Sequence, residues 1–553
     1  MPQRFQATDK CTPCKPGPIV TRLSNSLLIA FFLLLCAACS AQNGPAPPSY
    51  ESYKLAENMV RSHDWDKGLE LLRPLLKAYA SDPKVFNLAG LACTGKGDLK
   101  QADDYFRRAL QIDPGFVPSL KNLGINEYNQ HDFTEAGKYL EQALQRSPDD
   151  PVVNLYLGEV AFAEHDFKRS SELLPHAQQF LARDPDLKSH LAVSLFQTGR
   201  KTEGLVLLDA LDPGSLSAAS QFAVGLTLAQ SDMPDRAIPY FELLRQHYPD
   251  SYNAAYNLVV CYIGAKKFPE AISLANQLVT QRHETDELDN ALAEAYEGNH
   301  ETERAIAALR RAIELNPQDE DNYLDFANLC INHRDFDNGL KVITVGLNVL
   351  PHSSRLTFER GVLYAMQDRF DLAENDFQQS SRLSPETNFG TVGMGVTYLE
   401  TGNASKAIDL LHQRLKQNPN DASLLYLLGE ALMRNGAKAG EAQYAEAQAS
   451  FEKSVRLNPD LCLPHVALGE IYLDEERFND AIVQLERART IDPKEKSAYS
   501  HLAVAYRRSG KTEEARRILN MLKDLHQAER GWATEKMKHA NEDPATPSSV
   551  ISK

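Results

Sequence analysis

The sequence predicts an all-α solenoid, about fourteen helix–turn–helix units stacked in a row. Three observations predict it. Pro317, Pro351, Pro385 and Pro419 stand 34 residues apart, and Pro459 to Pro493 repeats the step. Small residues recur at two fixed phases of that step. The chain's 553 residues, 43% hydrophobic and 24% charged, are too many for one compact core but suit a repeat array, which lengthens without enlarging its core.

Carried along the chain, the phase gives units beginning near residues 49, 83, 117, 151, 185, 218, 252, 286, 320, 354, 388, 422, 462 and 496. Antiparallel helices approach closely only where their contact positions are small. Unit position 8 is Gly at 90, 124, 158, 225, 361, 395, 429 and 469, Ala at five other units and Val only at 259. Position 20 is Ala, Gly or Ser throughout. Bulky partners fall at positions 4, 11 and 24, as in Phe86, Cys93 and Phe106 or Tyr499, Tyr506 and Leu519. Proline at position 32 lacks an N–H and ends the second helix. Units ending near 182, 216 and 283 lack it, with Pro185 and Pro213 displaced and His283 in its place. Lys438 to Gln443 lengthens the turn inside the twelfth unit.

On this period and these small positions, residues 49–529 resemble the tetratricopeptide repeat family. The resemblance implies a right-handed α-solenoid, with first helices lining a concave groove and second helices outside. A terminal unit exposes an apolar face that needs cover. The helical pattern from Lys511 through Leu519, Leu522, Leu525 and Trp532 is longer than any internal helix and is expected to act as that cap, leaving residues 530–553 as its end and a disordered tail.

The N-terminus has the character of an export leader. Arg4, Lys10, Lys15 and Arg22 face one acid, Asp9, and precede a 12-residue apolar run from Leu27 to Ala38, too short to span a bilayer. Cys36-Ala-Ala-Cys39-Ser40 resembles a bacterial lipobox, although Cys36 stands where leucine is usual. Three outcomes stay open for residues 1–39: acylation at Cys39, plain cleavage near Ser40 or Ala41, or an uncleaved anchor. Ser40, where an Asp would favour inner-membrane retention, points by resemblance to an outer membrane. Residues 40–48 read as a flexible tether.

Several enzyme-like fragments fail on phase. Gly90 to Lys96 imitates a phosphate loop, but no strand precedes it and Gly97 replaces Ser or Thr. His333-Arg334-Asp335 copies a kinase tripeptide at a phase that holds turns elsewhere. Cys11 and Cys14 lack a second ligand pair. His63, His131, His165 and His300 recur at position 15, one per unit, which reads as solvated turns rather than a metal ladder. Cys93, Cys261, Cys330 and Cys462 lie in separate units and read as free thiols. No nucleophile with a paired base is visible at any meaningful spacing. Neither a metal nor a cofactor is expected.

Net charge is −16, and without residues 1–48, which hold four basic residues and one acid, it deepens to −19. That field disfavours nucleic acid. The expected function is therefore a non-catalytic exported scaffold at the bacterial envelope, membrane-anchored or periplasmic, that binds protein or peptide segments in its groove. The alternative is an accessory presenting substrates to a separate glycosyltransferase or polysaccharide-export machinery. By resemblance, positions 2, 5, 9, 12 and 13 face inward. They place Phe162, Phe196, Phe222, Tyr256, Phe358, Phe389 and Tyr426 on the groove, with Met366 and Met433. Lys121, Arg355, Arg434, Arg507 and Arg508 are scattered there among Glu159, Glu294, Glu297, Glu430 and Glu470. The expected partner carries apolar anchors and some basic residues.

Overall fold

The computed structural model describes residues 50–542 except residue 282; the expected leader, Cys39, tether and residues 543–553 lie outside the described residues. Those described fold into helices and turns, arranged as fourteen helix pairs. First helices start at Tyr50, Pro83, Val117, Pro151 and onward to Lys496, each within a residue of the 34-residue phase. The chain divides into two compact bodies, Met1–Glu284 with Ala291–Ala305, and Thr285–Asn290 with Ile306–Lys553.

One local device recurs in all fourteen repeats. Position 15, between the two helices, is left-handed every time. Nine repeats place a non-glycine there, from His63 (φ 63°) to Glu476 (φ 59°), and five place Gly97, Gly199, Gly402, Gly436 and Gly510. Such a residue stops the first helix. Position 16 then caps the second: Asp64, Asp98, Asp132, Asp166 and Asp335 each accept a hydrogen bond from the backbone N–H three residues on. Position 17 is often aromatic. Three of the turn histidines lie at an angle against it, with ring centroids 5.1 Å apart for His63–Trp65, 6.0 Å for His131–Phe133 and 5.6 Å for His165–Phe167, while His300 is followed by Thr302 at that position. The same turn places Arg334 and Asp335 of the kinase-like tripeptide in the left-handed and capping positions.

The small positions are contact points. A methyl at Gly158 would lie 2.6 Å from the Leu174 side chain, and one at Gly204 would lie 2.6 Å from the Phe196 ring. Position 24 packs on position 8 of its own repeat and joins position 7 of the next in one core cluster, as Phe106 with Leu123 and Leu140 with Leu157. First helices of successive repeats also touch one another, Pro83–Lys96 against Val117–Asn129 for example.

Irregularities follow from local sequence. The second helix of repeat 4 breaks at Pro175 into Phe167–Leu173, a 3-10 turn Leu174–Ala177 and Gln178–Leu181. Repeat 5 has a short second helix, Lys201–Asp209, followed by the 3-10 turn Pro213–Ser215. In repeat 12 the insertion turns through Gly440 (φ 88°) before the second helix, Ala442–Leu457. The last helix, Thr512–Glu542, runs unbroken for 31 residues. It leaves its own outward side open, because Leu519 is 53% exposed. The expectation that Leu519 fills the interior is corrected there, while Leu522 and Leu525 of the same helix pack against the core cluster of the last repeats.

Candidate functional site: the first-helix face

The first helices carry two different surfaces. In repeats 3–6 a line of polar groups crosses four consecutive first helices. The Tyr128 hydroxyl donates to Glu159 Oε2 at 3.4 Å, and Glu159 faces His190 Nδ1 at 2.9 and 3.0 Å. On the other side of the ring, Nε2 lies 3.2 Å from Ser220 Oγ. Phe162 stacks on the same ring at 4.2 Å and 14°. Burial alone would lower the His190 pKa, but Glu159, with Asp186 and Asp184 beyond it, overcomes burial and holds the ring above its ordinary value.

Glu159, His190 and Ser220 form the acid–base–hydroxyl order of a hydrolase, which sequence reasoning did not find. Their spacings are 31 and 30 residues rather than 34, because adjacent first helices meet about three residues out of phase. Burial removes the catalytic reading. Ser220 is 1% exposed and its hydroxyl also contacts Ser217, so no substrate reaches it.

Repeats 10–13 carry the second surface. Phe358 is half-buried, with its ring 5.3 Å from Phe377 and 5.9 Å from Phe389. Phe389 projects, 59% exposed, as does Val396 on the same helix at 43%, while Met366 and Leu463 on the first helices of repeats 10 and 13 are 48% and 45% exposed. Tyr426 is half-buried, 6.0 Å from Phe451, and burial pushes its hydroxyl pKa up. Two recessed carboxyls share this surface. Burial pushes Glu359 up. Burial likewise raises Glu430, with Arg434 opposing and Glu470 adding to the shift.

The remaining expected groove residues separate. Phe222 is half-buried and edge-on to Phe241 at 5.7 Å, and Tyr256 stacks on Tyr252 at 5.9 Å. Phe196 is a correction: it is 4% exposed and packed on Gly204 between the helices of its own repeat, so no partner can touch it. Three of the scattered cations are neutralised internally. Lys121 pairs with Asp150 at 2.7 Å, Arg355 with Glu320 and Asp321 at 2.8 and 2.7 Å, and Arg434 with Glu400 at 3.2 Å.

Cys93, Cys261 and Cys330 are buried and Cys462 half-buried, all unbridged. Burial pushes their thiols up to about 11, 12, 12 and 11, so they are poor nucleophiles. Among the described residues, no group of three or more His, Cys, Asp or Glu is placed to hold a metal. None of their helices is long and apolar enough to cross a membrane.

Comparison with known proteins adds the following. Sequence models described as "Tetratricopeptide repeat" match residues 53–115, 128–189, 228–295, 290–319, 392–460 and 472–535. Human "Tetratricopeptide repeat protein 13" is 25% identical over 215 residues, 39% of this chain and 22% of that protein. "TPR repeat-containing protein YpiA" of Bacillus subtilis is 24% identical over 251 residues, 42% of this chain and 57% of that one. A "Peroxisomal targeting signal receptor" of Komagataella phaffii is 34% identical over 85 residues, 15% of this chain and 14% of the receptor. The matched stretches thus span 14% to 57% of these relatives. Among solved structures, yeast Tom70 aligns over 78% of this chain and 97% of its own at 17% identity, with a TM-score of 0.41.

Proposed function

Because the chain belongs to the tetratricopeptide repeat family, we propose that it is a non-catalytic scaffold that binds protein or peptide segments on its first-helix face. The observation that carries this reading is Phe389, 59% exposed beside Phe358 at a position where an aromatic without a partner would cost solubility. The recessed carboxyls of Glu359 and Glu430 select what docks there: an apolar side chain for the aromatic surface, and a Lys or Arg to compensate the carboxylates. An acidic tail has no cationic clamp to meet, since Arg355 and Arg434 are already paired.

The scaffold works at a bacterial envelope, exported by the leader in residues 1–39 and held by a lipid on Cys39. Replacing Phe358, Phe389 and Tyr426 with Ala tests the docking surface. Partner capture from the envelope should fall by the 2 kcal/mol or more, roughly, that hot-spot aromatics carry, while melting changes little. Undiminished capture removes these residues from the binding site. Cys39→Ala tests the anchor: it should block lipid labelling and release the protein from membranes, and unchanged membrane association would refute acylation there.

A further inference from the structure

The two ends of the array carry the two halves of one contact. Position 24, on the second helix, is 0–4% exposed in the thirteen repeats from Leu72 to Leu485. In repeat 14 the same position is Leu519, 53% exposed. Position 7, on the first helix, behaves in the opposite sense. From Ala89 to Leu502 it is 0–8% exposed, apart from Arg360 of repeat 10, which pairs with Asp376. In repeat 1 it is Leu55, 48% exposed.

These two positions are each other's partners inside the array. Leu140 and Leu157 share one core cluster, as do Leu174 with Leu191 and Phe377 with Met394. Leu485 and Leu502 extend the same pairing to the contact between repeats 13 and 14. Repeat 14 therefore offers the surface that a following first helix would cover, and repeat 1 offers a first helix whose apolar side faces away from its own repeat. Leucine stands at both. It is also the commonest residue of the internal pairs, so the two open faces match in size and chemistry.

We infer that this protein self-associates head to tail, the Leu519 face of repeat 14 in one copy covering the Leu55 face of repeat 1 in the next. The contact continues the repeat-to-repeat interface across two chains. It is heterologous: each copy that uses one face leaves the other free, so growth proceeds until a ring closes or the chains run out.

The head-to-tail geometry makes a complementation test possible. Leu55→Asp and Leu519→Asp each put a charge on one open face. Both positions are about half exposed, so the fold tolerates the change, and far-ultraviolet circular dichroism confirms it; Leu519→Gln serves as a milder second variant. In sedimentation equilibrium the full-length wild type should show a molar mass that rises with concentration to twice that of one chain and beyond. Each Asp variant alone should remain a monomer. An equimolar mixture of the two should form dimers and nothing larger, because only one intact pair of faces remains. A wild type that is monomeric at every concentration overturns the inference, as would burial of Leu519 by the chain's own terminal residues. Self-association by Leu55→Asp alone means two repeat-14 faces meet each other, and it overturns the head-to-tail assignment equally.

Discussion

Repeats 4–6 and repeats 10–12 hold the same first-helix positions and use them differently. In the first region each inward group finds a partner one helix away: Glu159 meets His190, His190 meets Ser220, and Phe162 lies flat on the imidazole. Phe196 has gone into the interior altogether. In the second region the neighbour of Phe358 is another aromatic, Phe389, which it cannot cover, and the recessed carboxyl of Glu359 has no ion-pair partner among the described residues. Phase within the repeat sets a side chain's direction. The residue one repeat on and about three positions back decides whether it is sealed.

The largest effect that could break this contrast compares two phenylalanines that sequence alone treats alike. Phe196→Ala should cost about 3–5 kcal/mol, since a buried ring leaves a cavity beside Gly204. Phe389→Ala should change stability by less than about 0.5 kcal/mol, as exposed substitutions do. Chemical denaturation of both variants checks it, and similar losses would erase the distinction between the two regions.

Next in size is the polar line. His190→Ala leaves the nearly buried Glu159 with only the long Tyr128 contact, at a cost of about 1–3 kcal/mol for an unsatisfied buried group. The loss should depend on pH. The His190 pKa is held above the usual 6.5, so protonation favours the folded state. That contribution is complete below the unfolded value near 6.5 and is lost as pH rises through the folded value. The gap between wild type and variant should therefore narrow from about pH 6.5 upward. Glu159→Gln, which keeps a hydrogen-bonding group but removes the charge, should flatten the wild-type pH profile over that range. A gap that widens with pH would show that the ring folds neutral.

These comparisons also mark what the sequence could reveal. The prolines 34 residues apart and the small residues at positions 8 and 20 located nearly every helix, because intra-repeat packing recurs at the repeat period itself. Contacts between repeats do not. The links Glu159–His190 and Phe358–Phe389 span 31 residues and His190–Ser220 spans 30, so a search in steps of 34 passes them by. The left-handed turn was visible in principle: His, Asp, Lys, Arg and Glu share position 15 with five glycines. A position that glycine shares with polar residues suggests a positive φ, whereas reading the histidines alone suggested only solvated side chains. Nothing in the periodicity separated Phe196 from Phe162, both at position 12, since Gly204 beneath one of them sits on the partner helix.

The smallest effect tests whether the turn belongs to the repeat or to the region. Asp232 in repeat 6 and Asp368 in repeat 10 are exposed and left-handed, at φ 62° and 59°. An L-residue there costs about 1–2 kcal/mol, and glycine's extra freedom in the unfolded chain returns about 0.5–1 kcal/mol. Asp232→Gly and Asp368→Gly should each stabilise by about 0.5–1 kcal/mol, equally in both regions. The reverse change, Gly199→Ala or Gly402→Ala, should destabilise by a similar amount through backbone strain alone, because an added methyl meets nothing within 4 Å at either site. Denaturation midpoints of the four variants decide it. Gains confined to one region would mean that position 15 is under local rather than repeat-wide control, and that the phase equivalence behind the whole comparison holds for the helices but not for the turns that join them.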